Sequence, residues 1–162
     1  MLFDKVRLKK IDFYSFIFVI AIFLIDRISK SYFINLIQIR EKELFVNDFL
    51  NITLNWNTGI GFGLLSVDSN TIYNLISILI FLIIIYLIYL MVKSDDSFKI
   101  MISLVIGGAV GNLYDRLNYF AVPDFIDFHF KGFHWFTFNF ADIFISLGIF
   151  LIIMRQFFTN KL

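Results

Sequence analysis

The 162-residue sequence contains no cysteine and one proline, Pro123. Without cysteine the chain has no disulfide, no thiolate nucleophile and no sulfur-ligated metal. Charged residues are scarce at 17% and nearly cancel, to a net +1. No basic face is concentrated anywhere, which argues against a nucleic-acid partner. G-x-S-x-G, H-E-x-x-H and a Walker phosphate loop are all missing, so the common hydrolase and nucleotide signatures are excluded.

What is present is apolar. Hydrophobic residues make up 59% of the chain and the mean hydropathy is +0.82, against about 45–50% apolar in soluble domains. Four segments, at about 13–32, 71–92, 99–117 and 141–158, match the length needed to cross a hydrocarbon core about 30 Å thick. These predict an α-helical integral membrane protein with four transmembrane helices in a single domain spanning 1–162. Lys5, Arg7, Lys9 and Lys10 before an apolar run imitate a signal peptide. No small-x-small cleavage site follows, and the run continues into Asp26-Arg27-Ile28-Ser29-Lys30, so it reads as a retained first helix. The N-terminal cluster, Lys93 and Lys99, and Arg155 and Lys161 place eight of the 14 basic residues on one side. By the positive-inside rule both termini are cytoplasmic, and loops 33–70 and 118–140 are extracytoplasmic. Tyr73, Tyr86 and Tyr89 read as interfacial anchors of the second helix.

Both outer loops carry strand patterns. Leu50 to Asn57 alternates apolar and polar residues without a break, the period of a strand with one greasy face. Asp127, His129 and Lys131 alternate with Phe128 and Phe130. Lys131-Gly132 offers a turn, and Phe133 to Phe138 runs back as a hairpin. The expectation is a small extracytoplasmic β-sheet on the membrane surface, its aromatics among the headgroups. Arg40, Glu41, Lys42 and Glu43 mark the 33–48 segment as an amphipathic or interfacial element able to close over a site, and the fold is expected to include an interfacial helix.

The candidate chemistry lies in polar residues that are costly to keep beside lipid. Asp26 and Lys30 share a helix face and read as a structural polar pair. Gly107, Gly108 and Gly111 include a G-x-x-x-G spacing that suits close helix packing. Asn112, Asp115 and Arg116 then form one polar face, with Asp115 expected to neutralise Arg116. That face serves either a structural network or substrate orientation. Asp142 falls in the first turn of the fourth helix, where the dipole favours its anion, with Asn139 as cap. Asp124 follows the only proline, which fixes the backbone before the carboxylate. Two carboxylates brought together at a low-dielectric boundary cannot both ionise easily, so the pair can activate water and protonate a leaving amine. Singly, Asp142 is an ordinary helix start and Asp124 a turn residue. With Asn112, Asp115, Arg116 and Asn139 around them, the functional reading is favoured.

Other readings compete. His129 and His134 can join Asp127 on a metal, but on an aromatic strand they read as interfacial residues, and no metal or cofactor is assigned. Ser29-Lys30 is no dyad, because adjacent helical positions diverge. Asn57-Thr58-Gly59-Ile60-Gly61-Phe62-Gly63 allows close backbone approach to a ligand, or a re-entry turn. A proton-coupled transporter using Asp26, Lys30, Asp115 and Asp142 as a relay is a rival. Its carboxylates cluster at one membrane face, however, and no inverted repeat is visible. A non-catalytic assembly factor is a third class.

Four blocks taken together resemble the lipoprotein signal peptidase (signal peptidase II) family: Asp26-Arg27-Ile28-Ser29-Lys30, Asn57 to Gly63, Gly108-Ala109-Val110-Gly111-Asn112-Leu113-Tyr114-Asp115-Arg116, and Val122 to Phe128 followed by Phe138-Asn139-Phe140-Ala141-Asp142. The resemblance spans most of the chain. It implies a membrane aspartic endopeptidase that cuts diacylglyceryl-modified prolipoproteins just before the lipidated cysteine. It further implies catalysis by Asp124 and Asp142, without a cofactor, in a monomer of the bacterial inner membrane. Asn57, Asn112, Arg116 and Asn139 correspond to polar residues around the family's substrate and inhibitor site, and Asp26, Lys30 and Asp115 to positions of more structural character; Gly59 and Asp115 are counted with the first four as site-shaping residues. The family also implies a periplasmic helix over the site. This chain departs from the pattern in two places. Asn118-Tyr119-Phe120-Ala121 stands where a glycine is common, and Pro123 stands where valine is usual, so the backbone entering Asp124 is expected to differ in detail.

Overall fold

A computed structural model describes residues 10–40, 42–59 and 70–159 of the chain. Lys5, Arg7, Lys9, Glu41, residues 60–63 of the glycine-rich turn, and Lys161 lie outside them. The described elements run α1 (Lys10–Arg40), β1 (Leu44–Asn47), β2 (Leu50–Asn57), α2 (Asn70–Lys93), α3 (Asp96–Tyr119), β3 (Val122–Phe130), β4 (Phe133–Phe138) and α4 (Phe140–Thr159).

The central helix is α3. Its apolar stretch is 56% buried, against 17% for α2 and for α4, whose leucines, isoleucines and phenylalanines face outward. Helices that turn apolar side chains away from their neighbours require an apolar solvent. Three carry stretches long enough to cross a membrane, at Thr71–Lys93, Asp96–Tyr119 and Phe140–Phe158. At 31 residues α1 is longer, but Asp26, Arg27 and Lys30 interrupt its apolar run.

Lipid offers no hydrophobic drive between helices, so close packing must hold them. A methyl group at Gly107 would come within 2.7 Å of Ile22 in α1, and one at Gly108 within 2.5 Å of the Ala141 carbonyl oxygen in α4. At Gly111 it would strike the Asp26 carboxylate. The glycines of α3 therefore seat α1 and α4 directly on its backbone. At the far end of the bundle Lys99 of α3 pairs with Asp12 of α1, both buried. Lys99, a flanking charge by sequence, is thus an interior one, tolerable because it is paired.

The strands form one antiparallel sheet in the order β1-β2-β3-β4. Lys131 and Gly132 both take positive φ, 50° and 78°, as a two-residue primed hairpin turn requires. The 33–48 segment does not form a single amphipathic or interfacial element. Residues 33–40 continue α1, because Phe33, Ile34, Leu36 and Ile37 keep a helical apolar spacing with no breaker between them. Phe33 also stacks on the fully buried Phe125 of β3, ring centroids 4.4 Å apart. Residues 44–47 form the edge strand β1, whose turn is closed by Asn47 Oδ1 accepting from the Phe49 and Leu50 amides. The sheet keeps Asp124, Asp127 and His129 buried and leaves Phe130, Phe133 and Trp135 exposed. Tyr86 and Tyr89 are exposed, but Tyr73 is buried rather than interfacial. α3 ends on Phe120 in the left-handed conformation (φ 54°, ψ 20°), and only Ala121 then precedes β3, so the helix end sets the position of Asp124.

Candidate active site

The ends of α1 and α3, the start of α4, and strands β2 and β3 meet at one end of the bundle and bring most of the singled-out polar residues together. Asn139 caps α4. Its Oδ1 accepts from the Asp142 amide and its own amide donates to Asp142 Oδ2, each at 3.2 Å. This reciprocal capping box commits the carbonyl end of the Asn139 side chain. Its Nδ2 donates to Asp124 Oδ1 at 2.6 Å, so one asparagine holds both aspartates.

Asn57 and Asn112 follow the same logic. Asn57 Oδ1 accepts from the Gly59 amide (2.8 Å), and its Nδ2 donates to Asp124 Oδ2 (3.0 Å). Asn112 Oδ1 accepts from Lys30 Nζ (2.8 Å), and its Nδ2 donates to Asp142 Oδ1 (2.8 Å). In all three asparagines the carbonyl oxygen meets a group that can only donate, which turns the NH₂ end toward a carboxylate. Three of the four aspartate oxygens accept one bond from such an NH₂ group and the fourth, Asp142 Oδ2, accepts from the Asn139 backbone amide, which leaves each a lone pair for a further donor such as water.

Asp124 is fully buried. Burial, reinforced by the charge of Asp142, pushes its carboxyl from the ordinary 3.8 up to about 7, against the opposing hydrogen bonds from Asn57 and Asn139.

Behind Asn112 lies a cluster of two carboxylates and two cations. Lys30 Nζ sits 2.9 Å from Asp26 Oδ2 and 2.7 Å from Asp115 Oδ2. Arg27 reaches both Asp115 oxygens, at 2.6 and 2.8 Å, and lies over the Tyr114 ring. Asp26 Oδ1 also accepts from the Ala141 amide (3.1 Å), which ties the cluster to the first turn of α4. The Asp26–Lys30 pair forms as expected. Asp115 does not neutralise Arg116, because consecutive helical residues point apart. Asp115 faces α1, while Arg116 donates to the Gly59 carbonyl (3.0 Å) and the Asn112 carbonyl (3.3 Å). Arg27 is the residue that sequence reasoning passed over, although an arginine beside Asp26 in an apolar helix was itself a signal.

On the hairpin, His134 Nδ1 lies 2.7 Å and His129 Nδ1 3.7 Å from Asp127 Oδ2. Among the described residues no group of three or more His, Cys, Asp or Glu side chains is placed to hold a metal.

An apolar cleft of about 330 Å³ between α2, α3 and α4, walled largely by isoleucines, has Asn112, Arg116 and Asp142 at its polar end. Carboxylates held this way can pass a proton between water and a leaving group, and the cleft suits a substrate that lies in the membrane. Two buried carboxylates tied together by one asparagine form a candidate acid–base pair.

The family model described as Signal peptidase (SPase) II matches residues 18–158. Over 161 residues the chain is 48% identical to the lipoprotein signal peptidase of Pelagibacter ubique (strain HTCC1062), covering 98% of this chain and 96% of that protein. It is 42% identical over 151 residues to that of Rickettsia prowazekii (strain Madrid E), covering 88% and 74% respectively. A bacterial membrane enzyme solved by the in meso method at 2.3 Å superposes with a TM-score of 0.73 at 30% identity, over 91% of this chain and 90% of that one. The chain belongs to the signal peptidase II family.

Proposed function

We propose that the chain removes the signal peptide from diacylglyceryl-modified prolipoproteins, cutting before the lipidated cysteine, with Asp124 and Asp142 as its catalytic pair. The observation that carries this reading is Asn139, whose side chain and amide bind both carboxylates at once. With its carboxyl pushed up to about 7, Asp124 is part-protonated near neutral pH, and the reaction uses the state in which the pair holds one proton. The ionised member takes a proton from water as the oxygen adds to the scissile carbonyl. The protonated member delivers its proton to the amide nitrogen as the C–N bond breaks, and the pair again carries one proton. Either aspartate can fill either role.

The apolar cleft receives the apolar signal segment or the acyl chains, and binding them in place orients the scissile bond. Asn57, Gly59, Asn112, Asp115, Arg116 and Asn139 shape the site around it. The rest of the reading is a single membrane peptidase domain over 1–162 with four spanning helices. Support for the fourth span comes from α1, which pairs with the spanning α3 near both of its ends, through Asp12–Lys99 and Lys30–Asp115. Both termini then lie in the cytoplasm and the sheet on the outer face of the bacterial inner membrane. The enzyme works as a monomer without a cofactor.

The test is cleavage of a diacylglyceryl prolipoprotein peptide in detergent. Asp124→Asn and Asp142→Asn should each lose at least about 100-fold in rate, the scale of positioned acid–base catalysis, while still folding and binding substrate. A wild-type protein that leaves the lipidated peptide intact, or a variant that cuts at full rate, overturns the reading.

A further inference from the structure

A groove of about 410 Å³ lies at the end of the bundle that carries the sheet, lined by Arg27, Ser31, Asn35 and Gln38 of α1, Trp56 of β2 and Tyr119 at the end of α3. Neither candidate catalytic aspartate lines it, and the proposed reaction makes no use of it.

α1 changes character along this side. Leu24, Ile28, Ser31, Asn35 and Gln38 recur at helical spacing and so share one face. Leu24 and Ile28 are exposed and apolar. The three residues beyond them are exposed and polar, with no hydrogen-bond partner among the described residues. Such a change along one exposed helix face marks the level where hydrocarbon gives way to headgroups. Trp56 and Tyr119 line the groove as an exposed, T-shaped pair with ring centroids 5.8 Å apart, and rings of this kind favour that same level.

The groove also has a sign. Arg27 and Lys30 line it, and among the described residues no carboxylate does. Their partners Asp26 and Asp115 are fully buried, whereas the Arg27 side chain is 17% exposed, so the cluster turns a positive edge outward. These four charges cancel and the whole chain carries only +1, so the edge acts at contact range and not as a long-range field. A matching occupant brings an anion to Arg27, polar groups to the row beyond it and an apolar body along Leu24 and Ile28.

We propose that this groove binds one anionic phospholipid, with its phosphate at Arg27, its polar headgroup on Ser31, Asn35 and Gln38, and its acyl chains on Leu24 and Ile28. The proposal rests on the reading of α1 as a spanning helix. A lipid held there fixes the depth of Arg27 in the membrane, and with it the cluster that orients Asn112.

Trp56 and Trp135 are the only tryptophans in the chain, so Trp135→Phe makes Trp56 the sole fluorophore of its kind. That protein is reconstituted in phosphatidylcholine bilayers containing either dibrominated phosphatidylglycerol or dibrominated phosphatidylcholine at equal mole fraction. Quenching of Trp56 should report a preference of about 3- to 10-fold for the phosphatidylglycerol, the worth of about one hydrogen bond. Trp56→Phe leaves Trp135, on β4 and outside the groove, which should be quenched equally by the two lipids. Asn35→Asp with Gln38→Glu puts two anions on the exposed polar row. It should abolish the preference at Trp56 without lowering the thermal midpoint in detergent. Equal quenching of Trp56 by the two lipids, or the same preference at Trp135, overturns the site. An unquenched Trp56 puts the sheet away from the bilayer and overturns the topology on which the proposal stands. Cleavage is not read, so a failure of the peptidase reading and a failure of this site show up separately.

Discussion

The Lys30 ammonium lies 2.8 Å from Asn112 Oδ1 and so decides which end of the Asn112 amide meets Asp142. An ammonium has no acceptor to offer, which leaves the Asn112 NH₂ group, 2.8 Å from Asp142 Oδ1, no alternative orientation. The same lysine balances Asp26 and Asp115 in a fully buried setting. Lys30→Met would leave two buried carboxylates against Arg27 alone. Breaking a buried pair from one side costs about 3–5 kcal/mol. Denaturation in detergent should register that loss, and Lys30→Met with Asp115→Asn should recover part of it by restoring the charge balance. A cost below about 1 kcal/mol, the range of a surface pair, would mean that the cluster is not the structural anchor described.

Much of this arrangement was legible in residue patterns, and the remainder was not for physical reasons. The unbroken alternation of Leu50–Asn57 and the Lys131-Gly132 turn marked β2 and the β3–β4 hairpin, because strand period and turn chemistry are local properties. The polar cluster at one end of the bundle was visible because charges beside lipid demand partners. Which partners they find depends on how α1 faces α3, and no local pattern contains that. Local pattern therefore pairs Asp115 with its neighbour Arg116 instead of with Lys30 and Arg27, and places Lys99 among the flanking charges. β1 is only four residues long and carries too short a pattern to read. The continuation of α1 to Arg40 was obscured by charges that suggested an interface. Tyr73 read as a membrane anchor because a buried and an interfacial tyrosine look alike in sequence.

Asp124 should leave a mark on pH dependence. Its folded value of about 7 lies above the ordinary 3.8, so the folded state binds the proton more tightly than the unfolded chain does. The associated stability is complete below about pH 4 and is lost as the pH climbs to about 7, at no more than about 1.4 kcal/mol per pH unit. Asp124→Asn removes the titration. The melting temperature of that variant minus that of the wild type should therefore grow between pH 5 and pH 8. Wild-type kcat/KM should fall above about pH 7, as the pair gives up the one proton it needs. A rate that stays flat to pH 9 would argue against a shared proton.

Gly108 tests how tightly the site depends on helix packing. A β-carbon there would stand 2.5 Å from the Ala141 carbonyl oxygen and 2.9 Å from Ile145. The carbonyl is backbone and cannot swing aside, so Gly108→Ala must displace the first turn of α4, which carries Asp142. Overpacking of this kind costs about 1–3 kcal/mol. A misplacement of about 1 Å at reacting groups can cost 100-fold in rate. Cleavage by Gly108→Ala should thus fall far more than its thermal stability does. Gly132→Ala, where a new β-carbon meets nothing within 4 Å, should leave the rate near wild type and lose only the stability that its positive φ demands. Similar rates for both variants would mean that the α3–α4 contact does not position Asp142.

Phe120 occupies a backbone conformation that suits glycine. At φ 54° it closes α3 in the left-handed region, with one residue left before β3 begins. For a side chain with a β-carbon that conformation costs about 1–2 kcal/mol. The ring recovers little of it, being 62% exposed and making a tilted contact with Tyr73. Phe120→Asn tolerates the left-handed region without loosening the unfolded chain and should gain about 0.5–1 kcal/mol. Phe120→Gly should gain less, because glycine's extra freedom in the unfolded state offsets part of the relief. Because the link to Asp124 is one residue long, the two variants also ask whether the strain is used. If cleavage stays level while stability rises, the left-handed phenylalanine is a tolerated substitution. If cleavage falls as stability rises, the strained helix end is part of what places Asp124 against Asn139.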